Sequence, residues 1–568
     1  MMRWTLVITV VAVAGMTTWV SAERSQPPAG QAGRSVAVGH NGMVATSHPL
    51  AALVGLDVLK QGGNAVDAAI ATSAAMGLME PMSCGIGGDL FAIVWDAKNQ
   101  KLLGLNASGA APKRATREWF KGEGLTEIPE TGPLSWSVPG CVAGWEELRK
   151  KLGTKTLAQL LEPAIRYAEE GFPVPEVIAG YWREAARKLG RTPEARSTYL
   201  PAGRPPSVGE LFKNPYLAKT YRELATHGAA AFYRGRIAQE IVAFSDRMGG
   251  LFSLDDFANH QSEWVAPVST NYRGYDVWEL PPPGQGIAAL QMLNLLEKYD
   301  LKAWGPTSPD YWHVMIEAKK LAYADRAKYY TDPQFAKVPT AELISKPYAD
   351  QRRTLLKLDR VLRDIPAGDA KLGQADTIYL CVVDKDRTCV SLIQSNYFGF
   401  GSGLVPGELG FALQNRGTLF SLDEKHANRL EPGKRPFHTI IPAFVSKEGK
   451  PFFTFGVMGG DMQPQGHVQV LVNLIDFGMN VQAAGEAPRI EHRGSATPTG
   501  RPGDADGGQA ILERGIPETV VVELQRRGHR IAWTNRNGGG YQGILIDPRT
   551  GTLLGGTEAR KDGLAVGY

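Results

Sequence analysis

The 568-residue chain is sparing with the usual catalytic hardware, and the spacing of what it has excludes several chemistries. Its four cysteines, Cys84, Cys141, Cys381 and Cys389, form no Cys-x-x-Cys pair, which excludes a zinc ribbon or a thioredoxin-like redox motif. The 10 histidines are scattered singly, with no His-Glu-x-x-His pair to hold a metal. Neither a phosphate-cradling P-loop nor a Gly-x-Ser-x-Gly nucleophile elbow is present. One hydroxyl stands out by its place. Residues 360–376 have no clean period and end polar, as an exposed loop does, and at Thr377 a β-rich stretch begins abruptly with Thr-Ile-Tyr-Leu-Cys-Val-Val-Asp. A strand that opens on a hydroxyl directly after a polar loop needs an explanation beyond the ordinary preference of threonine for strands.

The elements that must position such a residue are legible in outline. Pro49 to Lys60 and Asn64 to Met79 have helical periodicity, with Pro49 in a first turn and Gly62-Gly63 as the break between them. The second of these is rich in alanine and suited to close packing on a sheet. Leu90 to Asp96 and Lys101 to Leu105 are expected as a strand pair. From Cys141 to about Tyr330 the pattern is mainly helical, for example over Val142–Leu152, Thr156–Glu170, Ile237–Ser245 and Pro309–Tyr323. Strand-rich regions beside long helices predict an α+β fold with helices covering sheets. A two-residue turn within Asp384-Lys385-Asp386-Arg387 would set Cys389 opposite Val382, with Cys381 on the other face, so four separate thiols are expected.

Around Thr377 the chain resembles the γ-glutamyltransferase family of the N-terminal-nucleophile hydrolases. The resemblance rests on Asp376-Thr377-Ile378-Tyr379-Leu380, on Val382-Val383-Asp384-Lys385-Asp386 and on Phe400-Gly401-Ser402-Gly403. It extends to Gly62-Gly63-Asn64-Ala65-Val66-Asp67-Ala68-Ala69 with Glu80-Pro81, to Gly85-Ile86-Gly87-Gly88, and to Pro432-Gly433-Lys434-Arg435-Pro436. Gly459-Gly460 and the ending Asp562-Gly563-Leu564-Ala565-Val566-Gly567-Tyr568 complete it, all in order. The resemblance implies a four-layer αββα sandwich. It also implies a precursor cut at Asp376–Thr377, giving a large chain 23–376 and a small catalytic chain 377–568 that share one composite domain. Thr377 would be the nucleophile. A threonine hydroxyl is weak at neutral pH, and the family's solution is the residue's own α-amine as base, free only after that cut. Ser395 would hydrogen-bond the nucleophile, and the amides of Gly459 and Gly460 would form the oxyanion hole.

The glutamate anchor of the family is missing. Where the resemblance places an arginine that grips the substrate carboxylate, this chain has Ser108, and there is no arginine between Leu105 and Pro112. Tyr397 stands where asparagine is usual, although Asn396 is adjacent. The acidic residue expected to bind the amine becomes Leu419, the glutamine three positions earlier becomes Arg416, and the paired serines become His438 and Thr439. Arg416 is therefore a candidate for holding a carboxylate from the other side of the pocket, with an ion-pair role as the alternative. His438, Thr439, Ser108 and Asn396 are further candidates for substrate contact. Asp461 would offer charge beside the oxyanion hole or cap a helix. Ser421–Lys434 is short where some members carry a lid loop, which leaves water free to enter and favours hydrolysis over transfer.

Composition agrees with an enzyme of this kind. With 43% hydrophobic and 21% charged residues the chain can bury a sizeable core, and a net charge of +4 without a basic stripe argues against nucleic acid. Residues 1–22, with Arg3, an apolar run from Thr5 to Met16 and Val20-Ser21-Ala22, are expected to be a cleaved signal peptide that exports the protein to a periplasmic or external space. The expected function is autoprocessing followed by cleavage of γ-glutamyl amides such as glutathione, the acyl group passing to water, an amino acid or a peptide. No metal and no organic cofactor is implied. An amidase with a different acyl group, or an uncut extracytoplasmic binding protein, are the alternatives.

Overall fold

A computed structural model describes residues 33–363, 376–534 and 539–568. Residues 1–22, expected as a signal peptide, and most of the 360–376 stretch lie outside the described residues. Among those described, no helix is long and apolar enough to cross a membrane.

The strand Asp376–Val383 shows how the layers arise. Successive side chains of a strand point to opposite faces. Ile378, Leu380 and Val382 enter one apolar cluster, with the helices Pro49–Lys60 and Ala65–Met79, while Tyr379, Cys381 and Val383 enter a second, shared with Phe444, Met458 and Ile544. Both faces are apolar, so this strand is covered on both sides. It pairs with Cys389–Tyr397 on one edge and Met43–Thr46 on the other. Its sheet runs, in spatial order, Leu564–Gly567, Met43–Thr46, Asp376–Val383, Cys389–Tyr397, Asp89–Asp96, Lys101–Ala107 and Glu263–Val265. The second sheet runs Ala37–Gly39, Leu553–Thr557, Tyr541–Ile546, Lys450–Val457, Ala443–Lys447, Tyr275–Glu279 and Val268–Tyr272. A third cluster joins this second sheet to the helices Gly286–Leu296, Pro309–Tyr329 and Met462–Ile475. Three apolar layers between four layers of structure make the αββα sandwich that the resemblance implied. The helices of the outer layers are capped as their sequences require. Asn64 and Asp67 form a reciprocal capping box on the alanine-rich helix, and Asp67 also binds the Thr154 and Lys155 amides, tying that helix to the link before the helix Leu157–Glu170.

Segments before and after residue 376 alternate within both sheets, so the two stretches share one core. The last strand, Leu564–Gly567, pairs with Met43–Thr46 beside the strand that Thr377 opens. Lys561, just before it, forms a buried ion pair with Glu80 at 2.9 Å.

The stretch 141–330 is mainly helical, as expected, and among its helices lie the short strands Glu263–Val265 and Val268–Tyr272 at sheet edges and Tyr275–Glu279 one place in, whose half-buried, polar-interrupted pattern is too weak to read against the surrounding helices. One expectation needs correction: the turn after Val383 is longer than two residues. Val383 pairs with Cys389 and Cys381 with Ser391, and Asp384 accepts from the Asp386 and Thr388 amides inside the loop. Cys381 and Cys389 therefore lie on the same face. They are nevertheless free thiols, like Cys84 and Cys141, and all four are buried.

Candidate active site

Thr377 sits opposite a bulge. Asp376 pairs with Tyr397 and Ile378 with Gln394, so both Ser395 and Asn396 oppose Thr377. Bulges re-aim side chains and recur beside active sites. Here Thr377, buried, donates through Oγ1 to Ser395 Oγ at 3.2 Å, and the Tyr397 amide donates to the same Ser395 oxygen at 2.8 Å. Tyr397 has φ +77°, a left-handed conformation that costs a non-glycine residue about 1–3 kcal/mol. Glycine is required behind the bulge, because a Cβ on Gly88 would meet the Ser395 carbonyl oxygen at 2.3 Å. Asn396 points away from this hydroxyl pair. Its Nδ2 donates to the carbonyls of Cys84 and Pro81, and its amide to Ser83, so it braces the 81–88 loop.

The facing sheet brings the glycine pair. The Tyr379 ring packs against Gly456, where a Cβ would lie 2.5 Å from the ring, and the strand containing Gly456 runs on into Gly459 and Gly460. These have φ +112° and +55°. Their carbonyls are engaged: Gly459 accepts from Met462 N at 3.0 Å, and Gly460 from Gln463 N at 3.2 Å and Gln285 Nε2 at 2.9 Å. Among the described residues neither glycine amide has an acceptor. The Gly459 carbonyl shares a peptide plane with the Gly460 N–H, so its bond to Met462 N fixes that donor, and two adjacent N–H groups in a held turn are what a developing oxyanion needs.

A network that the sequence did not reveal holds this turn. Gln285, at the start of the helix Gly286–Leu296, donates to both Gly460 O and Thr439 O and accepts from Arg326 Nη1 at 2.6 Å. Arg326, fully buried, also grips Asp461 through two bonds of 2.7 and 3.1 Å and stacks on Tyr323 with its guanidinium 3.8 Å from the ring centroid. Asp461 is thus an ion-pair partner and makes no side-chain cap on the helix Met462–Ile475.

The remaining candidates divide. Arg416 is completely buried, donates through Nη1 to Thr439 Oγ1 at 2.7 Å and lies 4.6 Å from the Tyr397 ring centroid. Its Nε and Nη2 have no hydrogen-bond partner among the described residues, and burial pulls its pKa down to about 10. His438 is buried with Nε2 3.1 Å from Asp89 Oδ2. Burial, helped by the Arg416 charge, lowers its pKa to about 4, so it is a neutral imidazole at physiological pH. Asp89 accepts through Oδ1 from the Gly109 and Gly140 amides and from Gln414 Nε2. Ser108 is turned to Asn106 Oδ1 at 2.6 Å, while its carbonyl accepts from Arg435. Contacts thus run unbroken from Thr377 through Ser395, Tyr397, Arg416, Thr439 and Gln285 to Gly460. Asp89, Gln285 and Arg326 carried no local signal, since only the fold brings them to the site.

Comparison with known proteins gives this geometry its context. The family model described as gamma-glutamyltranspeptidase matches residues 51–568. The chain belongs to that family. It is similar to the glutathione hydrolase-like YwrD proenzyme of Bacillus subtilis (strain 168), at 38% identity over 93% of this chain and 99% of that protein. It is also similar to the acylase ACY 1 proenzyme of Pseudomonas sp. (strain SE83), at 35% identity over 93% and 94%. A crystal structure of cephalosporin acylase from Bacillus halodurans superimposes with a TM-score of 0.88 at 45% identity, over 96% of this chain and 99% of that one. The γ-glutamyltranspeptidase family thus accounts for the fold and the class of enzyme, and it spans glutathione hydrolases and acylases.

Proposed function

We propose that the protein is an exported, autoprocessing amide hydrolase with Thr377 as nucleophile, acting on γ-glutamyl amides or their close relatives. The observation that supports this most is the pair Thr377–Ser395 at the bulge, in the strand packed on the one that leads to Gly459 and Gly460, whose amides have no acceptor among the described residues.

In the first turnover Thr377 Oγ1 attacks the carbonyl carbon of Asp376. The C–N bond breaks, the Thr377 nitrogen takes the proton, and an ester joins the two residues. Water hydrolyses it, leaving Asp376 as the end of a chain 23–376 and Thr377 as the free N-terminus of 377–568. In later turnovers the Thr377 amine accepts the Oγ1 proton as the hydroxyl attacks the substrate amide. The amides of Gly459 and Gly460 take up the charge on the tetrahedral oxygen. The protonated amine then gives its proton to the leaving nitrogen, and water or an acceptor amine releases the acyl group. Ser395 orients Oγ1 throughout.

A second reading, an acylase for a different acyl group, is favoured by one observation: the position of the family's carboxylate-gripping arginine is Ser108, closed onto Asn106. The test is a denaturing gel with N-terminal sequencing, followed by release of p-nitroaniline from γ-glutamyl-p-nitroanilide. Two bands, the smaller beginning at Thr377, and release of the anilide are expected. One uncut band under all conditions would instead mean a binding protein.

A further inference from the structure

We infer that Ser495, with Lys319 as its base and His492 orienting that base, is a second nucleophile of this protein besides Thr377, and that it takes the acyl group of small activated esters and related electrophiles.

The cluster forms where the helix Pro309–Tyr329 meets the strand Ile490–Arg493 and the loop that leaves it. Lys319 is 2% exposed. Its Nζ lies 2.7 Å from Ser495 Oγ, 3.2 Å from His492 Nδ1 and 4.1 Å from the Tyr323 ring centroid. A buried ammonium is costly unless a carboxylate meets it. The acids at hand are engaged elsewhere. Arg326 grips Asp461, Arg493 holds Glu491 through two bonds of 2.9 and 2.8 Å, and Lys320 pairs with Glu317. Among the described residues no carboxylate makes an ion pair with Lys319. Burial, helped by the Arg326 and Lys320 charges, outweighs the pull of Asp461 and Glu491 and holds the lysine well below its usual pKa. The neutral amine is the form this pocket favours.

The hydrogen positions follow from the partners. The Gly507 carbonyl can only accept, so His492 Nε2, 2.9 Å from it, carries the ring hydrogen and Nδ1 is bare. Nδ1 takes one N–H of Lys319. With the other N–H turned to the Tyr323 ring, the amine lone pair is left for the Ser495 hydroxyl. A nucleophile, a base within hydrogen-bond reach and a third group orienting that base are the parts of a covalent site. Ser495 is only half-buried, so its oxygen can be reached from solvent. The amides of Ser495 and Ala496 meet no acceptor among the described residues, which leaves two donors beside the nucleophile for an oxyanion. In the reaction Oγ bonds to the acyl carbon while its proton passes to Nζ. The bond to the leaving oxygen then breaks, and that proton departs with the alcohol or phenol.

The test treats the purified wild-type protein with a small alkyl fluorophosphonate and locates the adduct by peptide mass spectrometry. The Oγ–P bond forms, the P–F bond breaks and HF leaves, so the label reports a base-assisted hydroxyl. Ser495 should react about 100-fold faster or more than the exposed Ser207, the low end of what general-base assistance supplies. Lys319→Gln keeps an uncharged donor in the pocket but removes the base, so Ser495 labelling should fall to within about 3-fold of Ser207, and Lys319→Met should do the same. Ser495→Ala should carry no adduct on that peptide. Ser495 labelled no faster than Ser207 in the wild type, or labelled at the wild-type rate in folded Lys319→Gln, would overturn the assignment and leave Lys319 a tether for the loop. If neither lysine variant folds, the ratio of Ser495 to Ser207 in the wild type decides alone. An adduct on Thr377 maps to a different peptide, so failure of the proposed Thr377 chemistry leaves this test intact.

Discussion

At the scale of single residues the site depends on two hydroxyls whose positions a bulge sets. The register of Ile378 with Gln394, carried on by one residue, puts Ser395 opposite Thr377 on the same face, and the extra residue at Ser395-Asn396 breaks the ladder just there, with the two oxygens 3.2 Å apart. Thr377→Ala removes the attacking oxygen and should leave a single uncut, inactive chain on a denaturing gel; a two-band pattern would reassign the nucleophile. Ser395→Ala keeps the backbone and the nucleophile but leaves Oγ1 and the Tyr397 amide without their shared acceptor. It should slow both processing and anilide release by about 10- to 100-fold, and Ser395→Thr should restore most of the loss, because the hydroxyl is what the geometry uses. Processing half-time and kcat, measured on the same preparation, check this. A normal rate in Ser395→Ala would show that the bulge alone positions the nucleophile.

At the scale of elements, the turn at Gly459-Gly460, the proposed oxyanion site, is held by helices that precede residue 376. Gln285 caps Gly286–Leu296 and donates to the Gly460 carbonyl, and Arg326, near the end of Pro309–Tyr329, holds the Asp461 carboxylate and Gln285. They fix the turn that carries the two amides, so their loss should appear mainly in the transition state. Arg326→Met should lower kcat about 10- to 100-fold with KM little changed. It should also lower stability, by less than the roughly 3–5 kcal/mol of breaking a fully buried ion pair from one side, because the Asp461 carboxylate left behind is 25% exposed. A rise in KM at constant kcat would place Arg326 in ground-state binding instead. On the other side of the nucleophile, Gly88→Ala drives a methyl into the Ser395 carbonyl, and uncut protein should accumulate. Normal processing there would mean that the 85–88 loop yields without disturbing the bulge.

At the scale of the molecule, legibility in the sequence followed the range of the interactions. The helices Pro49–Lys60 and Ala65–Met79 were readable because their caps and periodicity are local. The short strands at 263–279 and the register after Val383 were not, because sheet pairing and a five-residue loop decide them. The same holds at the site: Thr377 announced itself by breaking a pattern, whereas Gln285, Arg326 and Asp89 acquire a role only when distant segments meet. Some local signals carry a property of the whole fold, and His48 is one. It caps Pro49–Lys60, its Nδ1 accepting from the Leu50 amide at 3.2 Å, and it is 2% exposed. That bond requires the neutral ring. Protonation would convert the acceptor to a donor and put a positive charge at the positive end of a helix dipole, in addition to the cost of burial. Burial accordingly lowers its pKa from 6.5 to about 3. The sign follows: the unfolded chain binds this proton between those values and the folded one does not. The contribution to stability is full above 6.5 and is lost as pH falls from there toward 3. The loss is about 1.4 kcal/mol per unit of pH within that window. His48→Asn supplies an uncharged side-chain oxygen at the cap, so it should leave stability at pH 7 within about 1 kcal/mol. Between pH 7 and pH 5 its thermal midpoint should fall less than that of the wild type. Parallel pH profiles of the two proteins would show that His48 is not protonated on unfolding in this range and that the cap does not report on the fold.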